Sequence, residues 1–390
     1  MQGDFTATSI DCSMPCAAAE QHMCDLFHQL ATWNMFLFPA GLQLREISGV
    51  IPQLSLVTTS KPQFAEFSPS PECMQKALKT AQWILKSHQC IVALDLSLEG
   101  LETWEDTFFE DLKGSSSVKY LKIKGGDSTC SGYMCGLVLS LKHLEELDIE
   151  TEGGTSQLQS ALSSLLGFSV TLKVFRSQRL KVHGDSSMLL GALSANATLN
   201  ELSLNEGILS RAGEECCEAF AKYLENSATL ATFNYSGDHV PTSGRTFSSV
   251  IGGLLKNKTN RNLSLTEFIL DCESNHLISI LLETGEFLHC FKITTELPNF
   301  VARCCDQQEN HSSWPTALAR SKALQEVTLS MRFCDAADWR FFLDGLTSNA
   351  STMKVIVHAG FDSPDELADV CKVLQQRCLD GSFIFRIGAC

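Results

Sequence analysis

Five potential zinc ligands lie close together near the start of this 390-residue sequence. They are Cys12, Cys16, His22, Cys24 and His28. Cys12 and Cys16 are four residues apart, as are Cys24 and His28, so each pair would share one face of a helix. Thiolates and imidazoles are ligands that zinc accepts. The spacing matches no common zinc finger, however, and the sequence favours a packed helix over residues 16–31 with no metal site.

Cysteine and histidine side chains are also the residue types used in nucleophilic catalysis. A nucleophilic cysteine needs a histidine base beside it, and no local signature places the two together here. Cys130 and Cys135 are not spaced as a redox pair, and no Gly-x-x-x-x-Gly-Lys-Ser/Thr phosphate loop occurs. We therefore expect a non-catalytic protein without a cofactor.

A short apolar phrase, Leu-x-x-Leu-x-Leu, recurs along most of the chain. Its first position falls at residues 91, 118, 144, 172, 199, 230, 260, 288, 324 and 353, which are about 29 residues apart on average. The alternating part of each copy predicts a half-buried strand, and the apolar residues three and four apart that follow predict an amphipathic helix. A polar link such as Asn196-Ala197-Thr198 precedes the next strand.

One such unit cannot bury its apolar surface alone, so successive units are expected to stack. The predicted fold is α/β: a leucine-rich repeat solenoid, or horseshoe, of about ten strand–helix repeats, with a parallel sheet on the concave side and helices on the convex side. We assign residues 1–88 to an N-terminal cap with strands at 41–47 and 53–57 and a second helix at 73–87; the alternative is that this segment forms a small separate recruiting domain. The solenoid then occupies residues 89–390.

From about residue 85 to residue 390, the strand phrases and the link Asn196-Ala197-Thr198-Leu199 resemble the ribonuclease-inhibitor-like branch of the leucine-rich repeat family. That branch includes ribonuclease inhibitor, the sensing arms of the nucleotide-binding (NLR) innate receptors and the activator of the Ran GTPase. The resemblance implies a curved solenoid that binds another protein. Binding residues cannot be transferred, because the family's usual Asn or Cys after the strand is replaced by Glu99, Gly126, Glu152, Gly207, Asp238 and Glu296.

Residues that alternate with the strand anchors are predicted to point onto the concave face of the sheet. The candidate partner-binding residues are Tyr120, Lys122, Lys124, Glu146, Asp148, Glu150, Arg176, Glu201 and Asn205. Two interpretations are open. Adjacent strands lie about 4.8 Å apart, so the lysines and acids can simply pair with each other. Alternatively, these charges form a binding patch anchored by Tyr120, since aromatic residues are frequent hot spots of interfaces.

Composition narrows the classes of partner. The formal net charge of -15 argues against binding to nucleic acid or to an anionic membrane surface. The first residues do not form a secretory signal, so we expect a cytoplasmic protein whose 17 cysteines are reduced thiols. In that compartment the six Asn-x-Ser/Thr sequences, including those at Asn196 and Asn257, are expected to be structural rather than glycosylated.

The expected function is therefore that of an interaction scaffold or receptor, which binds a protein partner on the concave face of its sheet. A GTPase activator of the Ran-activator type is one alternative. An inhibitor of a basic enzyme such as a ribonuclease is the other, because the acidic charge would permit it.

Overall fold

The computed structural model describes fourteen stretches of the chain. They are residues 16, 24–49, 53–59, 69–97, 117–125, 131–151, 154–177, 179–182, 184–237, 244–268, 270–296, 317–318, 320–332 and 354–360. The chain divides into two compact units, residues 1–148 and 149–390. The cap boundary expected after residue 88 stays a prediction.

Strands and helices alternate along the described residues. The strands are β1 (Leu42–Glu46), β2 (Leu54–Thr58), β3 (Ile91–Ser97), β4 (Tyr120–Lys124), β5 (Glu146–Glu150), β6 (Val174–Arg176), β7 (Glu201–Asn205), β8 (Thr232–Ser236), β9 (Asn262–Phe268), β10 (Cys290–Glu296), β11 (Glu326–Arg332) and β12 (Lys354–Gly360). The helices are α1 (Asp25–His28), α2 (Leu30–Leu37), α3 (Pro71–Ser87), α4 (Ser131–Ser140), α5 (Ser156–Phe168), α6 (Ser187–Ala195), α7 (Glu206–Ser210), α8 (Glu214–Asn226), α9 (Gly244–Lys256) and α10 (Cys272–Thr284). A 3-10 turn, Phe38–Ala40, follows α2.

The first unit begins with a short helical segment that differs from the predicted one. The single helix expected over residues 16–31 is wrong: Cys16 lies outside a helix, and α1 and α2 are separated at Gln29. The reason is that Gln29 leaves the helical backbone region, with φ -123° and ψ 24°. Asn34 on α2 then holds β1 through two hydrogen bonds, from its Nδ2 to the Leu44 carbonyl (3.1 Å) and from the Leu44 N–H to its Oδ1 (2.7 Å).

The rest of the first unit follows the predicted pattern. β1 and β2 are antiparallel, whereas β2 pairs with β3 and β3 pairs with β4 in parallel. The helix α3 starts at Pro71, after Ser70 accepts a hydrogen bond from the Cys73 N–H, which is a favourable N-terminal arrangement. Apolar residues of β3 and β4 lie side by side, with Leu94 next to Leu121.

In the second unit, consecutive strands from β6 to β12 pair in parallel. The anchors of the repeated phrase form buried rows across these strands, such as Leu202, Phe233, Leu263 and Phe291. Phe220 of α8 packs against Phe233, and Phe247 of α9 packs against Tyr235, so the core lies between the sheet and the helices. These features confirm the α/β leucine-rich repeat fold predicted from the sequence.

The polar links before the strands form a ladder of hydrogen bonds in the second unit. The ladder covers four similar sequences, at residues 169–172, 196–199, 227–230 and 257–260. In three of them a threonine hydroxyl donates to the anchor carbonyl of the preceding repeat: Thr198 to Leu172 (2.7 Å), Thr229 to Leu199 (2.8 Å) and Thr259 to Leu230 (3.1 Å). Each repeat is thereby tied to the one before it.

Two asparagines of these links are buried inside the molecule. Asn196 and Asn257 are each 6% exposed. Their Nδ2 atoms donate to the helix carbonyls of Leu166 and Leu224, respectively. Their Oδ1 atoms accept N–H groups of the following link residues. Both Nδ2 atoms are therefore used by the fold, in agreement with the expectation that these sites are structural.

One link carries an asparagine where the other three have leucine. Asn260 is 6% exposed, and its Nδ2 has no hydrogen-bond partner within the described part of the chain. A small cavity beside it is lined mainly by apolar residues, among them Leu254, Leu263, Leu281 and Leu288. A buried donor without a partner costs about 1–3 kcal/mol.

We predict that Asn260→Leu raises the free energy of unfolding by about 1–2 kcal/mol, because it removes the unpaired donor and restores an apolar anchor. Denaturant unfolding of the full chain measures this effect. Asn226→Leu, at an exposed position of α8, is the control and is expected to stay within about 0.5 kcal/mol of the parent. A loss of stability in Asn260→Leu would contradict the account of this cavity.

Candidate functional site

The candidate residues of the first unit lie on β4 and β5. The N–H group of Glu146 donates to the Lys119 carbonyl (3.0 Å), which brings the start of β5 beside β4. The anchors Leu121, Ile123 and Leu147 are buried, while Lys122, Lys124, Glu146 and Asp148 alternate with them and are half-buried. We call Tyr120, Lys122, Lys124, Glu146 and Asp148 the β4–β5 face.

An ion pair joins the two strands of this face. The Nζ of Lys122 lies 2.7 Å from an Oδ of Asp148, and the two side chains are 32% and 16% exposed. Tyr120 stands beside them at the start of β4 and is 37% exposed, which makes it one of the exposed large apolar residues in the part of the chain described. Just before the two strands, the Nζ of Lys119 lies 2.9 Å from the Oε1 of Glu145. The hydrogen bond between these side chains raises the pKa of Lys119.

The candidate residues of the second unit form a separate polar network. The Nε of Arg176 donates to Glu201 at 2.6 Å. The same Glu201 oxygen accepts from Asn234 Nδ2 at 3.5 Å, and Asn234 also donates to the Ser203 hydroxyl at 2.9 Å. In a second ion pair, the Oε2 of Glu150 lies 3.9 Å from the Nη1 of Arg179, whose side chain is largely exposed. Asn234 therefore belongs to this network. It was not among the predicted partner-binding residues, although its position in β8 follows the same alternation.

Asn205 is a correction to the predicted face. It is 2% exposed, its Oδ1 accepts the N–H of Ile208, and its Nδ2 donates to the Leu180 carbonyl. The reason is that the chain passes from β7 directly into α7 at Glu206, so Asn205 becomes the N-cap of a helix. Strand alternation alone predicted it to be accessible, because the sequence did not reveal that short helix.

The ion pairs agree with the interpretation that charged residues of adjacent strands pair with each other: Lys122 pairs with Asp148, and Arg176 pairs with Glu201. Such half-buried pairs contribute at most about 1 kcal/mol each to stability. They also fix the positions of charged groups on a rigid sheet, which is what a binding surface needs. Pairing and binding are therefore compatible roles for the same residues.

The metal-ligand candidates are arranged differently from the local cluster that the sequence suggested. Cys12 and His22 lie outside the described residues, and His28 is exposed at the end of α1. Cys16 and Cys24 instead meet His88 and Cys90, which follow α3. The thiol of Cys90 hydrogen-bonds to Cys24, which lowers the pKa of Cys24 to about 4 and raises the pKa of Cys90. His88 and Cys90 were not predicted as members of this cluster, because the prediction was based only on cysteines and histidines close together in the sequence.

Other cysteines of the described chain have no such surroundings. Cys73, Cys135, Cys216 and Cys217 form no disulfide within the part of the chain that the structure describes. Burial is the main cause that raises the pKa of Cys135 and of Cys217, so neither is activated as a nucleophile.

No protein-family model and no curated protein matches the sequence. Solved structures do match, among them the crystal structure of the leucine-rich repeat-containing protein LegL7 from Legionella pneumophila. It is 13% identical to this chain, with a TM-score of 0.44, and the match covers 73% of this chain and 90% of that one. The class of fold, a leucine-rich repeat solenoid, rests on the repeats of this chain itself.

In the ranges given above, none of the helices combines the length and the apolar character needed to cross a bilayer.

Proposed function

We propose that this protein is a non-catalytic interaction scaffold that binds a protein partner through the β4–β5 face. The observation that carries the proposal is the arrangement of this face. A half-exposed tyrosine stands with two lysines on β4, beside the two acids of β5, and the Lys122–Asp148 pair holds two of these charges in place.

The chemistry of the face favours a protein over other partners. Nucleic acids require a stripe of basic residues to neutralise phosphates, and here acids stand next to the lysines. A partner with complementary charges of both signs gains specificity from such a pattern. Tyr120 provides the aromatic group that often contributes most of the binding energy at the centre of an interface.

We predict that the double variant Glu146→Lys with Asp148→Lys loses its partner. Each substitution reverses the charge presented to the partner, and we expect the affinity to fall at least tenfold, about 1.4 kcal/mol. Stability should fall by no more than about 2 kcal/mol, since the surface pair itself contributes about 1 kcal/mol or less. The partner is first captured by cross-linking in cells and identified by mass spectrometry, and its affinity is then measured with purified proteins.

The matched control is Glu215→Lys with Glu218→Lys on the exposed face of α8. It changes the net charge by the same amount and should bind the partner as the parent does. If both double variants lose the partner equally, net charge rather than the β4–β5 face determines binding, and the proposal is wrong.

A charge swap separates the two roles of the ion pair. Lys122→Glu with Asp148→Lys keeps the net charge and allows the pair to re-form with opposite polarity, so stability should return close to that of the parent. The proposal predicts that partner binding stays lost, because the pattern seen by the partner is inverted. Recovery of binding together with stability would show that the pair serves the fold alone.

A further inference from the structure

We propose that Cys16, Cys24, His88 and Cys90 bind a structural zinc ion. This site would fasten the segment before α1 to the turn that leads into β3. It is independent of the proposed partner-binding face, because it uses different residues and a different chemistry.

The ligand atoms lie close to the separations that a zinc site requires. One Sγ or ring nitrogen from each of the four residues lies within 4.8 Å of all the others. The Sγ of Cys24 is 3.2 Å from the Nδ1 of His88. Bond lengths of about 2.3 Å to sulfur and 2.0 Å to nitrogen place tetrahedral ligands about 3.5–3.8 Å apart. Small side-chain adjustments are therefore enough to surround an ion.

Backbone structure fixes the positions of three of the ligands. Cys24 is the residue immediately before α1, and its carbonyl accepts the N–H of Phe27 (2.9 Å). His88 ends α3, where its N–H donates to the Ile84 carbonyl (2.9 Å). The carbonyl of Cys90 accepts the N–H of Leu54 on β2 (2.8 Å). The site is thus assembled by elements of the fold, as pre-organised metal sites are.

The surroundings of His88 hold its ring in a fixed orientation toward the thiols. Its side chain is 2% exposed, and it lies edge-to-face with the Trp83 ring, whose centroid is 5.0 Å away. Trp83 in turn stacks on Trp33 at 5.7 Å. Among the described residues, the Nε2 of His88 has no hydrogen-bond partner, so the polar contact of this ring is made by Nδ1 toward Cys24. Coordination through Nδ1 would replace its contact with the Cys24 thiol by a bond to the ion, with no need to move the buried ring.

The ligand set selects the metal and its role. Three thiolates and one imidazole in a tetrahedral arrangement are typical of zinc, and softer thiolate ligands disfavour magnesium and calcium. Four protein ligands leave no open position for water or substrate, so the site is structural rather than catalytic. Cys24 and Cys90 are buried and Cys16 is partly exposed. The thiol protons would leave to solvent as the ion binds, which makes binding depend on pH.

The experiment measures zinc in the full chain purified under reducing conditions without chelators. Elemental analysis by mass spectrometry is expected to find about one zinc per chain. Replacing zinc with cobalt(II) should give the intense visible bands of tetrahedral thiolate coordination. Removing the metal with a strong chelator should lower the thermal unfolding temperature, because metal-binding energy contributes to folding.

Variants test the assignment of the ligands. Cys16→Ala removes the most exposed ligand, and we expect its zinc affinity to fall at least tenfold in competition with a chelating dye. Cys24→Ala should retain no stoichiometric zinc. Cys73→Ala is the matched control, because Cys73 is an exposed thiol on α3 in the same unit, and it should bind zinc as the parent does.

Three results would overturn the proposal. The first is a zinc content far below one per chain together with no tetrahedral cobalt spectrum. The second is equal zinc affinity in Cys16→Ala and Cys73→Ala. The third is a disulfide between two of the proposed ligands in the intact mass of protein prepared under reducing conditions. Cys16→Ala keeps the test decisive even if loss of Cys24 prevents folding.

Discussion

Asn257→Ala is expected to lower the free energy of unfolding of the second unit by about 3 kcal/mol. The Asn257 side chain donates to the carbonyls of Leu224 and Ser227 and accepts the N–H groups of Thr259 and Asn260. Alanine removes this partner from the Leu224 carbonyl and from the N–H groups of Thr259 and Asn260, whereas the Ser227 carbonyl keeps the Thr259 hydroxyl. Each unsatisfied buried group costs about 1–3 kcal/mol. Replacing one side chain therefore removes a connection between α8 and the link before β9.

Hydrogen exchange and denaturant unfolding of the full chain measure this effect. Because stability in a repeat protein is carried by neighbouring repeats, the loss of protection should be greatest in residues 214–268. Asn226→Ala is the control: that side chain is exposed and bonds only within its own helix, to the Lys222 carbonyl among the contacts resolved. Equal effects of the two substitutions would show that the link ladder contributes little.

The second large effect on stability is expected at Tyr235, where substitution by alanine and substitution by phenylalanine should give very different results. Its ring is fully buried and lies 4.9 Å from Phe268 and 6.2 Å from Phe247, while Phe233 is 5.9 Å away. Tyr235→Ala should cost about 3–5 kcal/mol, because it leaves a cavity among these aromatic rings. Tyr235→Phe should cost nothing or stabilise by about 1 kcal/mol, since the hydroxyl is buried with no partner among the residues described.

Urea titration followed by circular dichroism compares the two variants directly. A cost in Tyr235→Phe similar to that in Tyr235→Ala would mean that the hydroxyl makes a hydrogen bond important for the fold. That result would contradict our account, in which ring packing alone explains the role of Tyr235.

Local pattern was sufficient to predict the repeated architecture. The alternation in Leu202-Ser203-Leu204 and the apolar stripe that follows predict a strand and a helix without any tertiary information. Successive repeats then have to stack, since each leaves apolar surface uncovered. Local pattern also predicted the strands at 41–47 and 53–57 and the helix at 73–87 close to their observed bounds. The link ladder was also visible in the sequence as four similar phrases, although its role was not.

The burial and the contacts of particular side chains depended on how distant parts of the chain pack together. Strand alternation placed Asn205 on the accessible face, but the helix that begins at Glu206 turned it into a buried cap. Lys122 pairs with Asp148, 26 residues further along the chain, as one of the two interpretations of the sequence predicted. Register between strands sets which charges meet, and sequence periodicity fixes it only to within a residue or two.

The sequence by itself determined that this protein is a stack of strand–helix repeats, because a regular apolar period can bury its surface in only a few ways. Tertiary structure alone decided which chemical groups meet. Cys16 and Cys24 lie with His88 and Cys90, more than sixty residues away along the chain, because α3 and the turn after it return to the start of α1. No spacing rule predicts such a meeting, since it follows from how the first helices pack against the sheet.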